Sequence, residues 1–183
     1  MCSGVGGLYD RHTGPQQVYL RRILASRGTA ATTATAPAPA KFATRILNLI
    51  SYDDAATLLM RCFAQAQAEA EAGGRRNSRV LLGIDGSSIS GPEMCRRILL
   101  TPGGRRLAAS FGCDAESVAS SSAIADAFAP APAPAPAAGN GSSSGGGSGV
   151  RYDNTRTKRA LGWWKLKYPS VVDCFASLER VSE

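Results

Sequence analysis

His12 is the only histidine in 183 residues, so neither a zinc set nor a Ser-His-Asp triad has more than one imidazole to draw on. No Ser or Cys stands beside it in a recognisable nucleophile motif, and a surface place next to a helix start accounts for it. The five cysteines, at 2, 62, 95, 113 and 174, contain no C-x-x-C pair. Their odd number and wide spacing read as small core hydrophobes in a reducing compartment. Asp53 and Asp54 could form an acid/base couple, yet carboxylates in the first turn after Ser51 also complement a helix dipole. The glycine-rich stretch SGVGGLYDRHTG, residues 3–14, lacks the G-x-G-x-x-G spacing of a dinucleotide loop, and no G-x-x-x-x-G-K-[ST] occurs. No catalytic residue and no metal ligand can be assigned from spacing alone.

One chemistry-bearing stretch is left, RYDNTRTKRALGWWKLKYPSV at 151–171, with six Lys and Arg and two adjacent tryptophans. Basic residues interleaved with aromatics could neutralise phosphates and stack bases, which suits a small nucleic-acid-binding module. The chain as a whole carries a formal charge of +7. Residues 151–183 hold seven basic and four acidic side chains, so only +3 of that excess is theirs. The charge is diffuse, and it permits an acidic partner without requiring one.

Two tracts cannot contribute to a core. Residues 29–40 are Ala, Thr and Pro, and 127–149 pass from an Ala-Pro alternation into Gly and Ser, compositions that stay extended or flexible. They divide the chain into 1–28, a central block 41–126 and a C-terminal block 150–183. No apolar run reaches the ~20 residues of a membrane span. No basic-then-apolar leader opens the chain. A soluble intracellular protein, cytoplasmic or organellar, is expected, without membrane partners.

The elements that must position these residues announce themselves by caps. Thr13-x-x-Gln16, Ser51-x-x-Asp54, Ser90-x-x-Glu93 and Ser170-x-x-Asp173 have capping-box spacing. Each is followed by apolar residues at helical period: Tyr19, Leu20, Ile23 and Leu24; Ala55, Leu58, Leu59, Cys62, Phe63 and Ala66; Met94, Cys95, Ile98 and Leu99; Val171, Val172, Phe175 and Leu178. Four one-faced helices follow. Runs at Val5–Leu8, Arg45–Ile50 and Val80–Ile84 read as short strands, the second broken at Asn48 and the third closed by the Asp85-Gly86 turn. Asn154 is placed to cap a further short helix that ends at Gly162, with Trp163 as its apolar anchor and Tyr168-Pro169-Ser170 turning the chain into the last helix.

The order of these segments resembles the C-terminal part of the NAD(P)-dependent epimerase/dehydratase proteins, extended and atypical members of the short-chain dehydrogenase/reductase superfamily. A strand ending in Gly-Gly-Leu-Tyr-Asp precedes a helix. Asn48-Leu49-Ile50-Ser51-Tyr52-Asp53-Asp54-Ala55 is similar to the family's N-x-I-H-V-x-D segment. Asp85-Gly86-Ser87-Ser88-Ile89-Ser90, with Glu93 beyond, resembles its D-G-x-x-(S/T) strand end. Asn154, Arg156, Lys158, Leu161, Gly162, Trp163, Lys165, Tyr168, Pro169 and Ser170 follow its tail pattern.

The departures matter equally. The T-G-x-x-G-x-x-G loop is absent, Ser51 stands where the family has histidine, and the residues four after each tyrosine are Thr13, Ile23, Ala56, Arg156 and Val172, so no Tyr-x-x-x-Lys exists. The resemblance implies an α/β, incomplete Rossmann-type fold: a substrate-side portion with two or three short strands, about four helices and low-complexity insertions. It places Gly6, Gly7 and Tyr9 toward the cofactor, NAD or NADP in full-length relatives, and Asn48, Ser51 and Asp54 toward a nucleotide-sugar or similar small substrate. It implies a chain that is not competent alone, is a fragment or truncated gene model, and pairs with a missing N-terminal half or with itself. The basic tail then serves as a structural closure, and nucleic acid is the alternative.

Overall fold

In a computed structural model the described residues are 7–27, 46–73, 81–128, 153–162 and 164–177. In chain order the elements are β1 (Gly7–Tyr9), α1 (Pro15–Ala25), β2 (Ile46–Leu47), β3 (Leu49–Ser51), α2 (Tyr52–Glu71), β4 (Ile89–Ser90), α3 (Gly91–Leu99), α4 (Pro102–Ser110), α5 (Ala115–Ser120), α6 (Ala123–Phe128), α7 (Thr155–Ala160) and α8 (Val171–Ala176). The protein is α/β, with eight helices and four short strands among the described residues. The tracts 29–40 and 129–149, with Val5, Gly6, Leu178 and Trp163, lie outside them.

Alternation of side chains decides how the strands sit. β1 runs parallel to β3, pairing Gly7 with Leu49, Leu8 with Ile50 and Tyr9 with Ser51. Successive strand residues face opposite sides. Tyr9 and Leu49 therefore enter the larger apolar cluster, formed with α1, α3, α4, α5, α6 and α8. Leu8 and Ile50 face a smaller cluster of Leu58, Leu161 and Trp164 under α2. The break read at Asn48 is real. It separates β3 from β2, and β2 turns to pair antiparallel with β4.

The helix starts follow their caps with one exception. Ser51, Ser90 and Ser170 accept the N–H of Asp54, Glu93 and Asp173. Thr13 does not cap α1. Asp10 Oδ1 takes the His12 and Thr13 N–H groups at 2.6 Å each, and Gln16 turns its amide onto the Asp10 and Thr13 carbonyls. The N-cap falls on Gly14. α3 lies at the centre, touching α1, α4, α5, α6 and α8, and its Met94, Cys95, Ile98 and Leu99 are wholly buried.

Three expectations change. The run 81–84 is not a strand; it lies beside β3 through an Asp85 N–H to Leu49 carbonyl bond of 2.6 Å. Helices α4, α5 and α6 were not among the expected four. They begin at Thr101, whose hydroxyl accepts the Gly104 N–H, and at Asp114, which accepts Ser117 N–H; α6 carries the core to Phe128, past the expected boundary at 126. Finally α2 is not one-faced in the expected way. Leu58 is buried, whereas Leu59 and Phe63 are exposed.

Thr101 also donates to the Ile98 carbonyl at 2.6 Å and so joins the end of α3 to the start of α4. Thr101→Val keeps the shape and removes both bonds. We expect a loss of about 2 kcal/mol in denaturant unfolding, and a loss within ~0.5 kcal/mol would show that water replaces them.

Candidate functional site

Four stretches far apart in sequence are fastened to one another around β3. The first is the β1 end, where Tyr9 pairs with Ser51. The second is the β3–α2 junction, where Ser51 Oγ donates to Asp54 Oδ2 at 2.7 Å and accepts the Asp54 N–H at 3.0 Å. The third is the Ile84-Asp85-Gly86 turn. The fourth is the segment 153–170. Asn154 Nδ2 donates to the Ile84 carbonyl at 2.7 Å, and Leu82 N–H donates to Thr157 Oγ1 at 2.9 Å. Asp54 Oδ1 accepts the Lys167 N–H at 2.6 Å, while Oδ2 also accepts the Tyr168 N–H at 3.2 Å. Gly86 completes the turn at φ 88°, in the region that favours glycine.

Asp85 is the chemical centre of this arrangement. It is 3 % exposed, and its Oδ1 accepts the Ser87 N–H at 2.8 Å and the Ser87 hydroxyl at 2.6 Å. Its carboxyl lies near the Tyr9 hydroxyl, close enough for each group to act on the other's titration. Neither Oδ2 nor Tyr9 Oη makes a well-formed hydrogen bond. Burial pushes the Asp85 carboxyl up to about 6, opposed first by the two Ser87 bonds and less by the nearby Tyr9 hydroxyl and Val171 N–H. Burial first, and the Asp85 charge second, raise the Tyr9 phenol far above its ordinary value. Tyr9 therefore stays protonated and cannot be a phenolate base at neutral pH. Asp85 can exchange a proton near neutrality, and Ser87 connects it to the surface.

At Asp85 opens a cleft of about 780 Å³, lined by Ser87, Ser88, Asn154, Lys158 and Ser170 together with the carboxylates of Asp85, Asp153 and Asp173. Serine hydroxyls, three carboxylates and one ammonium suit a ligand rich in hydroxyl groups.

The expected site residues are only partly gathered here. Tyr9, Ser51 and Asp54 are neighbours, but all three are buried and none borders the cleft. Asp54 binds two backbone N–H groups and Ser51, which makes it a clasp for the 164–170 segment. Asn48, half-buried, sits between β2 and β3. Gly6 lies outside the described residues. Gly7 does not leave its backbone open to a dinucleotide: a Cβ there would lie 2.9 Å from Pro15 Cγ and 3.1 Å from Leu49 Cδ2, so the missing side chain admits α1 and β3. Among the described residues Gly7 packs against Pro15 and Leu49, and Tyr9 is wholly buried.

The sequence reading did not single out Asp85, Lys158 or Asp173 as site residues. The legible signal was an apolar run ending directly in Asp-Gly, which leaves a carboxylate at the edge of the core. Asn154 holds the N-cap position of α7, but its side chain serves Ile84; Asp153 Oδ1 caps the Thr155 N–H instead. Gly162 has the expected left-handed φ of 71°.

Trp164 is 3 % exposed and packs with Ile50, Leu58 and Leu161. It is closed to base stacking, and Trp163 beside it lies outside the described residues. Burial raises the Cys95 thiol and lifts Cys174 to about 11, so both remain neutral core groups. Among the described residues no cluster of three His, Cys, Asp or Glu could hold a metal, and no helix is long and apolar enough to cross a membrane. The chain matches no protein-family model, no curated protein and no solved structure.

Proposed function

We propose that these residues are the substrate-side portion of an NAD(P)-dependent epimerase/dehydratase-like oxidoreductase, with an incomplete Rossmann-type arrangement. Its ligand, a nucleotide-sugar or similar small molecule, lies in the cleft between the 85–88 turn and Asn154, Lys158 and Ser170. One observation carries the reading. The segments that resemble the family's motifs, at 7–9, 48–55, 85–90 and 154–170, are bonded directly to one another around β3. A parallel pair of strands with helices on both faces supports it, since parallel strands occur in sheets covered on both sides.

In this reading the cofactor, which supplies hydride transfer when bound, is held by residues other than Gly7 and Tyr9. The chain's own groups bind and orient the substrate. Lys158 offers a charge to a phosphate, Ser87 and Ser88 offer hydrogen bonds to hydroxyls, and Asp85 holds or releases a proton through Ser87. Asp54 and Asn154 are positioning residues for that surface, and Ser51 acts through Asp54.

The purified 183-residue protein is expected to show no NADH- or NADPH-dependent turnover of nucleotide-sugars. A steady-state assay that detects turnover above the uncatalysed rate would refute the division of labour proposed here.

A further inference from the structure

Helix α2 has two apolar faces and covers only one. At 100° per residue, Leu58, Cys62 and Ala55 lie along the side that meets Ile50 and Trp164. Tyr52, Ala56, Leu59 and Phe63 form an adjoining stripe centred roughly 100° away, with Met60 at its edge. Tyr52 is 47 % exposed, Leu59 56 %, Met60 70 % and Phe63 69 %. These four side chains present roughly 400–500 Å² of apolar surface, a size that marks interaction faces on soluble proteins.

We infer that this stripe is the self-association surface of the protein, two copies pairing antiparallel through α2. The area argues for a copy of the same helix. Two such stripes together approach the ~1,000 Å² that a specific interface requires. A straight stripe on a 20-residue helix, ~30 Å long, is matched in shape by its own two-fold image. A pairing centred between Leu59 and Phe63 sets Leu59 of one copy against Phe63 of the other. The contact is independent of the function proposed above.

Sedimentation equilibrium of the full chain between about 1 and 200 µM tests it, a range in which an interface of this size should associate. The wild type is expected to move from monomer to dimer. Phe63→Glu, and Met60→Lys as a second variant, should weaken association at least about tenfold while the far-ultraviolet spectrum is unchanged. Val18→Glu, at an exposed apolar residue on α1, should leave the dimer intact. A wild type monomeric throughout, a dimer that survives both α2 variants, open-ended aggregates in place of a dimer, or equal loss with Val18→Glu would each overturn the inference.

Discussion

Asp54→Ala is expected to lower the stability of the protein by about 4 kcal/mol, the largest effect we anticipate for a single polar side chain here. The carboxylate is buried and accepts the Lys167 and Tyr168 N–H groups and the Ser51 hydroxyl. Bonds to a charged acceptor contribute ~1.5–3 kcal/mol each, and donors left buried without a partner add a penalty of similar size. Asp54→Asn retains one carbonyl acceptor and should lose about half as much. Chemical denaturation measures the loss. Hydrogen exchange locates it, because the Lys167 and Tyr168 amides should change from protected to fast. A loss under ~1 kcal/mol would mean that Trp164 alone holds the 164–170 segment.

The second large effect is a pH dependence. Asp85 titrates near 6 in the folded protein against an ordinary value of 3.8, so the folded state binds its proton more tightly than the unfolded chain does. Stability attributable to this group is full below pH ~4, falls as pH rises toward 6, and is level above ~7. The drop is about 3 kcal/mol, from roughly two pH units at 1.36 kcal/mol each. Glu93 and Asp10 shift the opposite way, so the raw pH profile mixes signs. The difference between wild type and Asp85→Asn isolates the term. Relative to the variant, the wild type should lose about 3 kcal/mol between pH 4 and 7. A constant difference would show the carboxyl open to water and would remove it as a proton-exchanging group.

Much of the fold could be read from residues that act locally. A serine three positions before an acid fixed the starts of α2, α3 and α8, because a hydroxyl that satisfies an orphan N–H needs no tertiary partner. Tyr19, Leu20, Ile23 and Leu24 fell on the buried face of α1 as their spacing required. The failures share a different cause. α4, α5 and α6 are short and rich in Ala, Ser and Gly; Thr101-Pro102 and Asp114 are local start signals without a capping-box partner, and the packing on α3 that completes these helices leaves no periodic stripe of large apolar residues. In α2, apolar residues on two faces merged into one broad periodicity, so Leu59 and Phe63 read as core.

The candidate site was legible as segments and not as atoms. The Asp85-Gly86 pair, the Asn154 segment and the Ser51–Asp54 cap were each recognised, but which of them meets solvent depends on long-range bonds. Asn154 could not be known to reach Ile84 across 70 residues, nor Asp54 to reach Lys167 across 113. Those bonds turn Asp54 inward as a clasp and leave Asp85, Ser87 and Lys158 at the cleft. The basic, tryptophan-bearing tail, read in the sequence as a structural closure, sets Trp164 into the smaller core.

Amide chemical shifts of the isotope-labelled chain, followed during titration with a nucleotide-sugar and separately with NADPH, test the central proposal most directly. Saturable shifts are expected at Asp85, Ser87, Ser88 and Ser170 with the nucleotide-sugar, and none at Gly7 or Tyr9 with NADPH. An unmoved cleft up to about 10 mM nucleotide-sugar, beyond the weakest binding of interest, or saturable NADPH shifts centred on Gly7 and Tyr9, would contradict it.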